Sequence, residues 1–200
     1  MFKYRFWLGI FGLFLMIAIS VPVMAGAPTE RIKETTDKII AIVSDPALKS
    51  PDKKAERKRL IRQAIDERFN WEEMSRRTLA RHWRERTEEE KKEFIELYGK
   101  LLERTYLDKV EGYSGEKVIY ENERVDNNYG VVQVKIVTQQ QTEIPTEYRL
   151  KRQGEGWLVY DISIEGVSLI NNYRSQFNSI ILRSSYGELI KKLKEKVAEN

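Results

Sequence analysis

The chain has 200 residues, with 35 Lys and Arg against 31 Asp and Glu, so its formal net charge is +4. This near balance argues against a nucleic-acid-binding protein, which concentrates basic residues on one face. A sequence without cysteine and with a single histidine excludes disulfides, a thiolate nucleophile and a metal site built from several histidines.

The first 25 residues are predicted to be a signal peptide. Lys3 and Arg5 form a basic start, residues 6–19 are uncharged and apolar, and Val23-Met24-Ala25 precedes cleavage before Gly26. Because this apolar run of 14 residues is shorter than the ~20 that span a bilayer, a cleaved signal is favoured over an anchor helix. Cleavage leaves 33 basic and 31 acidic residues, a net charge of +2, in an exported protein.

Four helices are predicted in the first half of the mature chain. Apolar residues recur at helical spacing over residues 29–43, and Ser50-Pro51 suits the cap and first position of a second helix. Asn70 is placed to cap a short third helix around residues 71–79. Thr87 and Glu90 form a capping box, in which each side chain satisfies the other's backbone N–H, and this box begins the fourth helix.

After residue 115 the apolar period changes from 3.6 to 2, which predicts β-strands. Short connections between them favour antiparallel neighbours and therefore a meander. We expect four strands, over residues 117–125, 131–138, 143–151 and 157–164. The expected fold class is α+β. It is one domain over residues 26–200, with helices over 29–111, a four-stranded antiparallel sheet over 116–165 and a long C-terminal helix over 167–197.

The segment that joins the last strand to the C-terminal helix carries the most specific pattern. Over residues 157–177 it contains W-x-V-Y-D-x-x-x-E-G-V-S-L-I, followed by Y-R-x-Q-F. This pattern resembles the MlaC, or toluene-tolerance, family of periplasmic phospholipid-binding proteins, and the order of the other elements matches that family over nearly the whole chain. One departure is that Arg81-His82 replaces the usual family glycine before the Trp83 turn.

The resemblance implies a deep apolar cavity that takes the acyl tails of a phospholipid, with no cofactor besides that bound lipid and no catalysed reaction. It also implies an NTF2-like or MlaC-like fold. The implied partners are an inner-membrane ABC transporter complex with its substrate-binding membrane subunit, and an outer-membrane lipoprotein complex. The implied role is to maintain the lipid asymmetry of the outer membrane.

The candidate lipid-binding residues are apolar or aromatic and lie on the inward faces of the predicted sheet and helices. Those on the sheet are Val118, Tyr120, Val132, Val134, Ile136, Tyr148 and Leu150. Those on the helices are Phe94, Tyr98, Leu101, Tyr173 and Phe177. From alternation alone, the same residues would suit an ordinary packed core, and only the resemblance favours a cavity.

Two other functions are compatible with the sequence. In an NTF2-like enzyme acting on a small apolar substrate, Asp161 on the sheet would be the general base. Alternatively, Asp161 is a structural carboxylate that hydrogen-bonds a neighbouring helix end or a Tyr hydroxyl and fixes the packing. The other function is that of a signal-anchored periplasmic adaptor with a packed core. His82, the sole histidine, has no neighbouring nucleophile in sequence.

The main basic feature is a cluster of arginines in the third helix and the segment after it: Arg76, Arg77, Arg81 and Arg84. The cluster either docks onto acidic partner surfaces or anionic headgroups, or is a solvated surface paired with nearby glutamates. The sequence leaves both interpretations open.

Overall fold

The computed structural model describes residues 27–198, so the predicted signal peptide lies outside the described residues. Among these residues there are six α-helices, three short 3-10 helices and five strands. The helices are α1 (Pro28–Ser44), α2 (Lys54–Asp66), α3 (Trp71–Leu79), α4 (Glu88–Glu111), α5 (Leu169–Arg183) and α6 (Tyr186–Ala198). The strands are β1 (Lys117–Asp126), β2 (Tyr129–Val137), β3 (Glu143–Gln153), β4 (Gly156–Ile164) and β5 (Val167–Ser168).

Side-chain caps fix where α3 and α4 start, as the sequence predicts. The predicted cap of the second helix is wrong, because Ser50 makes no cap hydrogen bond and Pro51 begins a short 3-10 helix, Pro51–Lys53, before α2. The Asn70 side chain accepts the backbone N–H of Glu73 at 2.9 Å and begins α3. At α4, the N–H of Glu90 donates to Thr87 Oγ1 at 3.2 Å and the N–H of Thr87 donates to Glu90 Oε2 at 2.9 Å. This reciprocal pair is the predicted capping box, and it satisfies two donors that have no partner within the helix.

The sheet is an antiparallel meander in the order β1-β2-β3-β4-β5. The four predicted strands and the α+β class are confirmed. The fifth strand has only two residues, Val167 and Ser168, which pair with Ile164 and Ser163 in a tight hairpin. Gly166 in that hairpin has φ +81°, a conformation that glycine adopts without strain.

A bulge in β4 changes which side chains face inward. The pairing of β3 with β4 shifts register at Tyr160, which is an extra residue in its strand. Trp157, Val159 and Ile162 therefore belong to one hydrophobic core. Strict alternation along the strand would put Ile162 on the face opposite to that of Trp157 and Val159. Asp161 is turned toward α5 instead of sharing their face.

The predicted long C-terminal helix over 167–197 is two helices. The N–H of Ser184 donates to the carbonyl of Ile180 at 2.9 Å and ends α5. Ser185 Oγ then accepts the N–H of Glu188 at 3.1 Å, in the manner of an N-cap for α6. Because serine side chains compete for backbone hydrogen bonds, two in succession end one helix and start another.

The segment between α2 and α3 ties the helices to the sheet. The N–H of Asn70 donates to the carbonyl of Val159, and the N–H of Val159 donates to the carbonyl of Arg68, both at 2.8 Å. These bonds make Phe69 a one-residue parallel bridge to β4. The Arg68 guanidinium adds a bond to the Trp157 carbonyl at 3.0 Å. The chain that leaves α2 is thus held at a fixed distance from β4.

Two hydrophobic cores flank this attachment. The helical core lies among α3, α4, α5 and α6, and its members include Met74, Phe94, Tyr98, Leu101, Tyr173, Phe177 and Leu189. The sheet core lies between the start of α1 and one end of the sheet, and consists of Ile32, Val132, Val134, Leu150, Trp157 and Val159. The start of α1 approaches the sheet so closely that a Cβ on Gly130 would lie 2.8 Å from Pro28 Cγ.

The backbone is strained where α3 ends. Ala80 has φ +50° and ψ −117°, a conformation that residues with a Cβ rarely adopt. The bend lets Arg81-His82 turn into the 3-10 helix Ala80–Glu85 and approach α5, where both side chains reach Asn178. The strain is therefore located at Ala80 and not at the Arg81-His82 pair that departs from the family pattern.

We predict that Ala80→Gly raises the free energy of unfolding by about 1 kcal/mol, because relief of strain exceeds the added flexibility of the unfolded chain. The control is Ala41→Gly in α1, where the alanine is exposed and helical; it should lower stability by about 0.5–1 kcal/mol. Urea unfolding measures both. Equal destabilisation by the two substitutions would show that Ala80 is not strained.

Candidate lipid-binding site

A cavity of about 530 Å³ lies between the helices and one end of the sheet. Its walls come from α1, α2, α3, α4, the first residue of α5 and the strands β1 to β4, and they are mostly apolar. Representative wall residues are Ile39 and Ile40 from α1, Leu107 and Val110 from α4, and Ile136 and Ile144 from the sheet. The volume is within the range of about 300–1,000 Å³ that is usual for small-molecule sites.

The cavity and the sheet core occupy opposite ends of the same sheet face. Along β2, Val132 and Val134 are 0% and 2% exposed and lie in the sheet core. Two residues further, Ile136 is only half-buried and lines the cavity. It pairs with Val118 on β1 and Ile144 on β3, which line the cavity too. One continuous apolar face is thus filled at one end and open at the other.

Arg62 on the α2 wall and Glu103 on the α4 wall are paired with each other. The Arg62 guanidinium donates to Asp66 Oδ1 at 2.7 Å and to Glu103 Oε2 at 2.6 Å. It also lies 5.0 Å from the ring centroid of Trp71, whose indole N–H donates to Asp66 at 2.7 Å. A Cβ on Gly99 would come within 3.1 Å of Arg62 Nη2. This network joins α2, α3 and α4 and neutralises charge beside an apolar space.

Tyr148 is a lining residue of the cavity and carries a hydroxyl. Burial raises the pKa of Tyr148 to about 12, so the phenol is neutral at physiological pH. Its side chain makes no hydrogen bond to another residue within 27–198. A neutral ring with a polar tip suits an amphipathic ligand better than a purely hydrocarbon one.

The predicted lipid-binding residues fall into three groups. Three line the cavity: Val118, Ile136 and Tyr148. Four belong to or pack against the sheet core: Tyr120, Val132, Val134 and Leu150. Five lie in the helical core and do not line the cavity: Phe94, Tyr98, Leu101, Tyr173 and Phe177. The helical ring cluster is tight, with Phe94 and Phe177 centroids each within 6 Å of the Tyr98 centroid.

Several wall residues are absent from the sequence-based candidates. They are Ile39 and Ile40 on α1, and Leu107 and Val110 on α4. The helical spacing of α1 already identified Ile39 and Ile40 as members of an apolar face. That spacing could not show whether the face meets packed side chains or open space.

Asp161 is a structural carboxylate. It is 3% exposed, accepts the Ser168 hydroxyl at 2.7 Å and the backbone N–H of Ile170 at 3.1 Å, and lies 3.8 Å from an Arg149 guanidinium nitrogen. The Ser168 hydroxyl in turn accepts the N–H of Asn171 at 3.1 Å. Asp161 is not part of the cavity wall. It fixes the start of α5 on the sheet, as the structural interpretation predicted.

The arginine cluster divides into two parts. Arg76 and Arg77 donate hydrogen bonds to the carboxylate of Glu73, a residue that is 7% exposed. These hydrogen bonds lower the pKa of Glu73 against the opposing effect of burial. Arg81 donates only to the Asn178 side chain, at 3.3 Å. Arg84 is exposed and has no salt-bridge partner within residues 27–198. The two parts therefore differ in how much positive charge they leave uncompensated.

Neither a metal site nor a membrane span is found in the described part of the chain. Residues 27–198 hold no group of three or more His, Asp or Glu side chains that could bind a metal. No helix among them is long and apolar enough to cross a bilayer.

We predict that Asp161→Ala lowers the free energy of unfolding by about 1–3 kcal/mol, because it leaves the buried Ile170 N–H without an acceptor. Asp108→Ala is the control, since Asp108 is exposed and bonded only to Lys58 at 3.1 Å; it should cost about 0.5 kcal/mol or less. Equilibrium denaturation measures both. Equal stability of the two variants would contradict the structural role of Asp161.

Comparison with known proteins identifies the family of this fold. The family model described as MlaC protein matches residues 33–195. A curated relative, the intermembrane phospholipid transport system binding protein MlaC of Haemophilus influenzae, is 23% identical over 145 residues, which are 70% of this chain and 68% of the relative. A solved phospholipid-binding protein of Ralstonia solanacearum, in complex with a phospholipid, superposes with a TM-score of 0.78 at 26% identity, over 86% of this chain and 98% of that one. The chain therefore belongs to the MlaC family.

Proposed function

We propose that the protein is a periplasmic phospholipid carrier and that the cavity between α1, α4 and the sheet holds the acyl tails. The observation that carries the proposal is the apolar cavity itself, which occupies half of a sheet face whose other half is filled. The solved relative of similar fold is a phospholipid-binding protein, which supports the same ligand class for this chain.

The energetics of lipid extraction favour an enclosed cavity over surface adhesion. Removing an acyl chain of about 16 carbons from a bilayer forfeits roughly 0.8 kcal/mol per CH₂, or on the order of 12 kcal/mol per tail. Only near-complete burial against apolar walls offsets a term of this size. The isoleucines and valines of the wall supply such surface, and the Tyr148 hydroxyl supplies a polar contact for the ester region of the lipid.

The proposed location and partners follow from the export signal and from the family. Residues 1–25 would direct export and be removed before Gly26. The relative in Haemophilus influenzae is named as part of an intermembrane phospholipid transport system. We infer that this carrier exchanges lipid with an inner-membrane ABC transporter, through its substrate-binding membrane subunit, and with an outer-membrane lipoprotein complex, and so supports outer-membrane lipid asymmetry.

The enzymatic alternative is weaker because Asp161, its proposed general base, does not line the cavity. Asp161 is turned toward α5, and its two oxygens accept hydrogen bonds from Ser168 and Ile170. A base must reach the proton that it abstracts. The carrier function requires no such group, since the lipid is moved unchanged.

Native mass spectrometry of the mature protein tests the carrier proposal. After gentle purification from a periplasmic extract, the spectrum should show the chain that begins at Gly26 with a bound phospholipid. Collisional activation should release the lipid and leave the intact chain. A ligand-free protein that also takes up no phospholipid from vesicles would contradict the proposal. Recovery only in the membrane fraction with Met1 intact would contradict removal of the signal peptide before Gly26.

A pair of tryptophan substitutions on β2 separates the cavity from the core. Ile136→Trp should fill space that the tails occupy, so bound phospholipid should fall sharply while the delipidated protein stays folded. Val134→Trp, two residues away on the same face, should instead overpack the sheet core and cost about 1–3 kcal/mol. Stability is compared without lipid because a bound ligand stabilises the folded state.

The contrast between the two variants decides the location of the site. Full lipid binding by a folded Ile136→Trp protein would place the tails outside the cavity. Equal destabilisation by both substitutions would show that the space around Ile136 is as tightly packed as the core around Val134.

A further inference from the structure

A second, smaller pocket of about 280 Å³ lies where the end of α3 meets α5. Its polar lining comes from Arg81, His82, Arg174, Ser175 and Asn178. It shares no lining residue with the lipid cavity. Two arginines and the only histidine of the chain therefore converge on one concave surface, and the lining includes no carboxylate.

The acceptors inside this pocket are already used. Asn178 Oδ1 accepts from Arg81 Nη2 at 3.3 Å and lies 3.0 Å from His82 Nε2. Ser175 donates its hydroxyl to the carbonyl of Asn171 at 3.0 Å. Arg174 uses only its Nε, which donates to the carbonyl of Arg77 at 2.9 Å. The pocket thus holds its basic side chains in place without neutralising them.

The donors that remain have no partner in the described part of the chain. They are the amide N–H₂ of Asn178, the two terminal guanidinium nitrogens of Arg174, and the guanidinium nitrogens of Arg81 other than Nη2. Charged donors without acceptors are favourable only in contact with water or an anion. A carboxylate, with two oxygens that accept several N–H groups, is complementary to this arrangement.

The neighbouring arginines show how the chain compensates charge elsewhere. Arg76 and Arg77 reach Glu73 at 2.6 and 2.8 Å, and Lys151 lies 3.6 Å from the same residue. Arg81 and Arg174 form no salt bridge within residues 27–198. Among the arginines around α3, those without a counter-ion therefore lie on the side that meets α5, with exposed Arg84 next to them.

We propose that this pocket receives an acidic side chain of a docking protein partner, whose carboxylate bonds to Arg81, Arg174 and the Asn178 amide. The partner's role as a lipid donor or acceptor rests on the function proposed above. The pocket accommodates one side chain and excludes a whole phospholipid because it is about half the volume of the lipid cavity. Positive charge without internal counter-ions steers association with such a surface and adds to its specificity.

An isosteric charge change tests the proposal. Asn178→Asp keeps the Oδ1 acceptor for Arg81 and His82 and replaces the free amide donors with a built-in counter-ion, so the fold should survive. The matched control is Asn172→Asp on the same helix, which carries the same charge change outside the pocket and keeps the acceptor for Gln176 at 3.1 Å. Both variants have the same net charge.

The measurement is NMR on isotope-labelled mature protein at low ionic strength. The probes are an acetylated, amidated tetraglutamate peptide, inorganic phosphate, and vesicles of phosphatidylethanolamine and phosphatidylglycerol. We expect the peptide to shift the His82 ring and the Nε resonances of Arg81 and Arg174. Asn178→Asp should weaken peptide binding by at least about tenfold, and Asn172→Asp by less than about twofold.

Other outcomes overturn the proposal. If the two substitutions weakened peptide binding equally, the loss would be due to net charge and not to the pocket. Shifts with phosphate but not with the peptide would make the pocket a small-anion site, and shifts with vesicles alone would make it a membrane contact. Lipid content and lipid uptake from the vesicles are measured on the same samples. A protein that neither contains nor takes up phospholipid but still binds the peptide selectively would contradict the carrier function and leave the carboxylate site intact.

Discussion

The backbone pairing between the α2–α3 segment and β4 is the constraint on which the cavity depends. Arg68 and Asn70 bond on either side of Val159, so the segment that joins α2 to α3 is fixed to β4. On one side of this attachment, Ile32 of α1 packs against Trp157 and fills the space. On the other side, α1 and α4 continue over the sheet without filling it. The open space is a consequence of this geometry, and no unusual side chain is needed to create it.

A carrier that gives up its ligand must stay folded when empty, and this chain places its stability elsewhere. The helical core with its cluster around Tyr98 and the sheet core around Trp157 are both filled, and no lipid is needed to complete either. Asp161 joins the two parts by holding the start of α5 on β4. Bound lipid then adds stability by mass action without being required for folding.

Local signals in the sequence were sufficient for the first four helices and the four long strands, but not for the division of the C-terminal segment or for the site. Asn70 and Thr87 satisfy specific backbone donors, so their helix starts could be predicted. The bulge at Tyr160 could not, because a one-residue insertion depends on the neighbouring strand, and it reverses the face of every later residue in β4. Val134 and Ile136 share strand, face and chemistry. Only the tertiary arrangement of α1 and α4 decides that one is core and the other is cavity wall.

The helix α3 connects the two sites. Trp71 and Met74 near its start line the lipid cavity. Leu79 at its end lines the smaller pocket that contains Arg81 and Arg174. Its nine residues form one hydrogen-bonded unit, so a displacement at the pocket moves the cavity wall as well. Docking can use this connection only if the partner binds one position of α3 more tightly than another, since a ligand shifts an equilibrium by no more than its differential affinity. A carboxylate in contact with Arg174, which is bonded to the carbonyl of Arg77 in α3, is placed where such a difference arises.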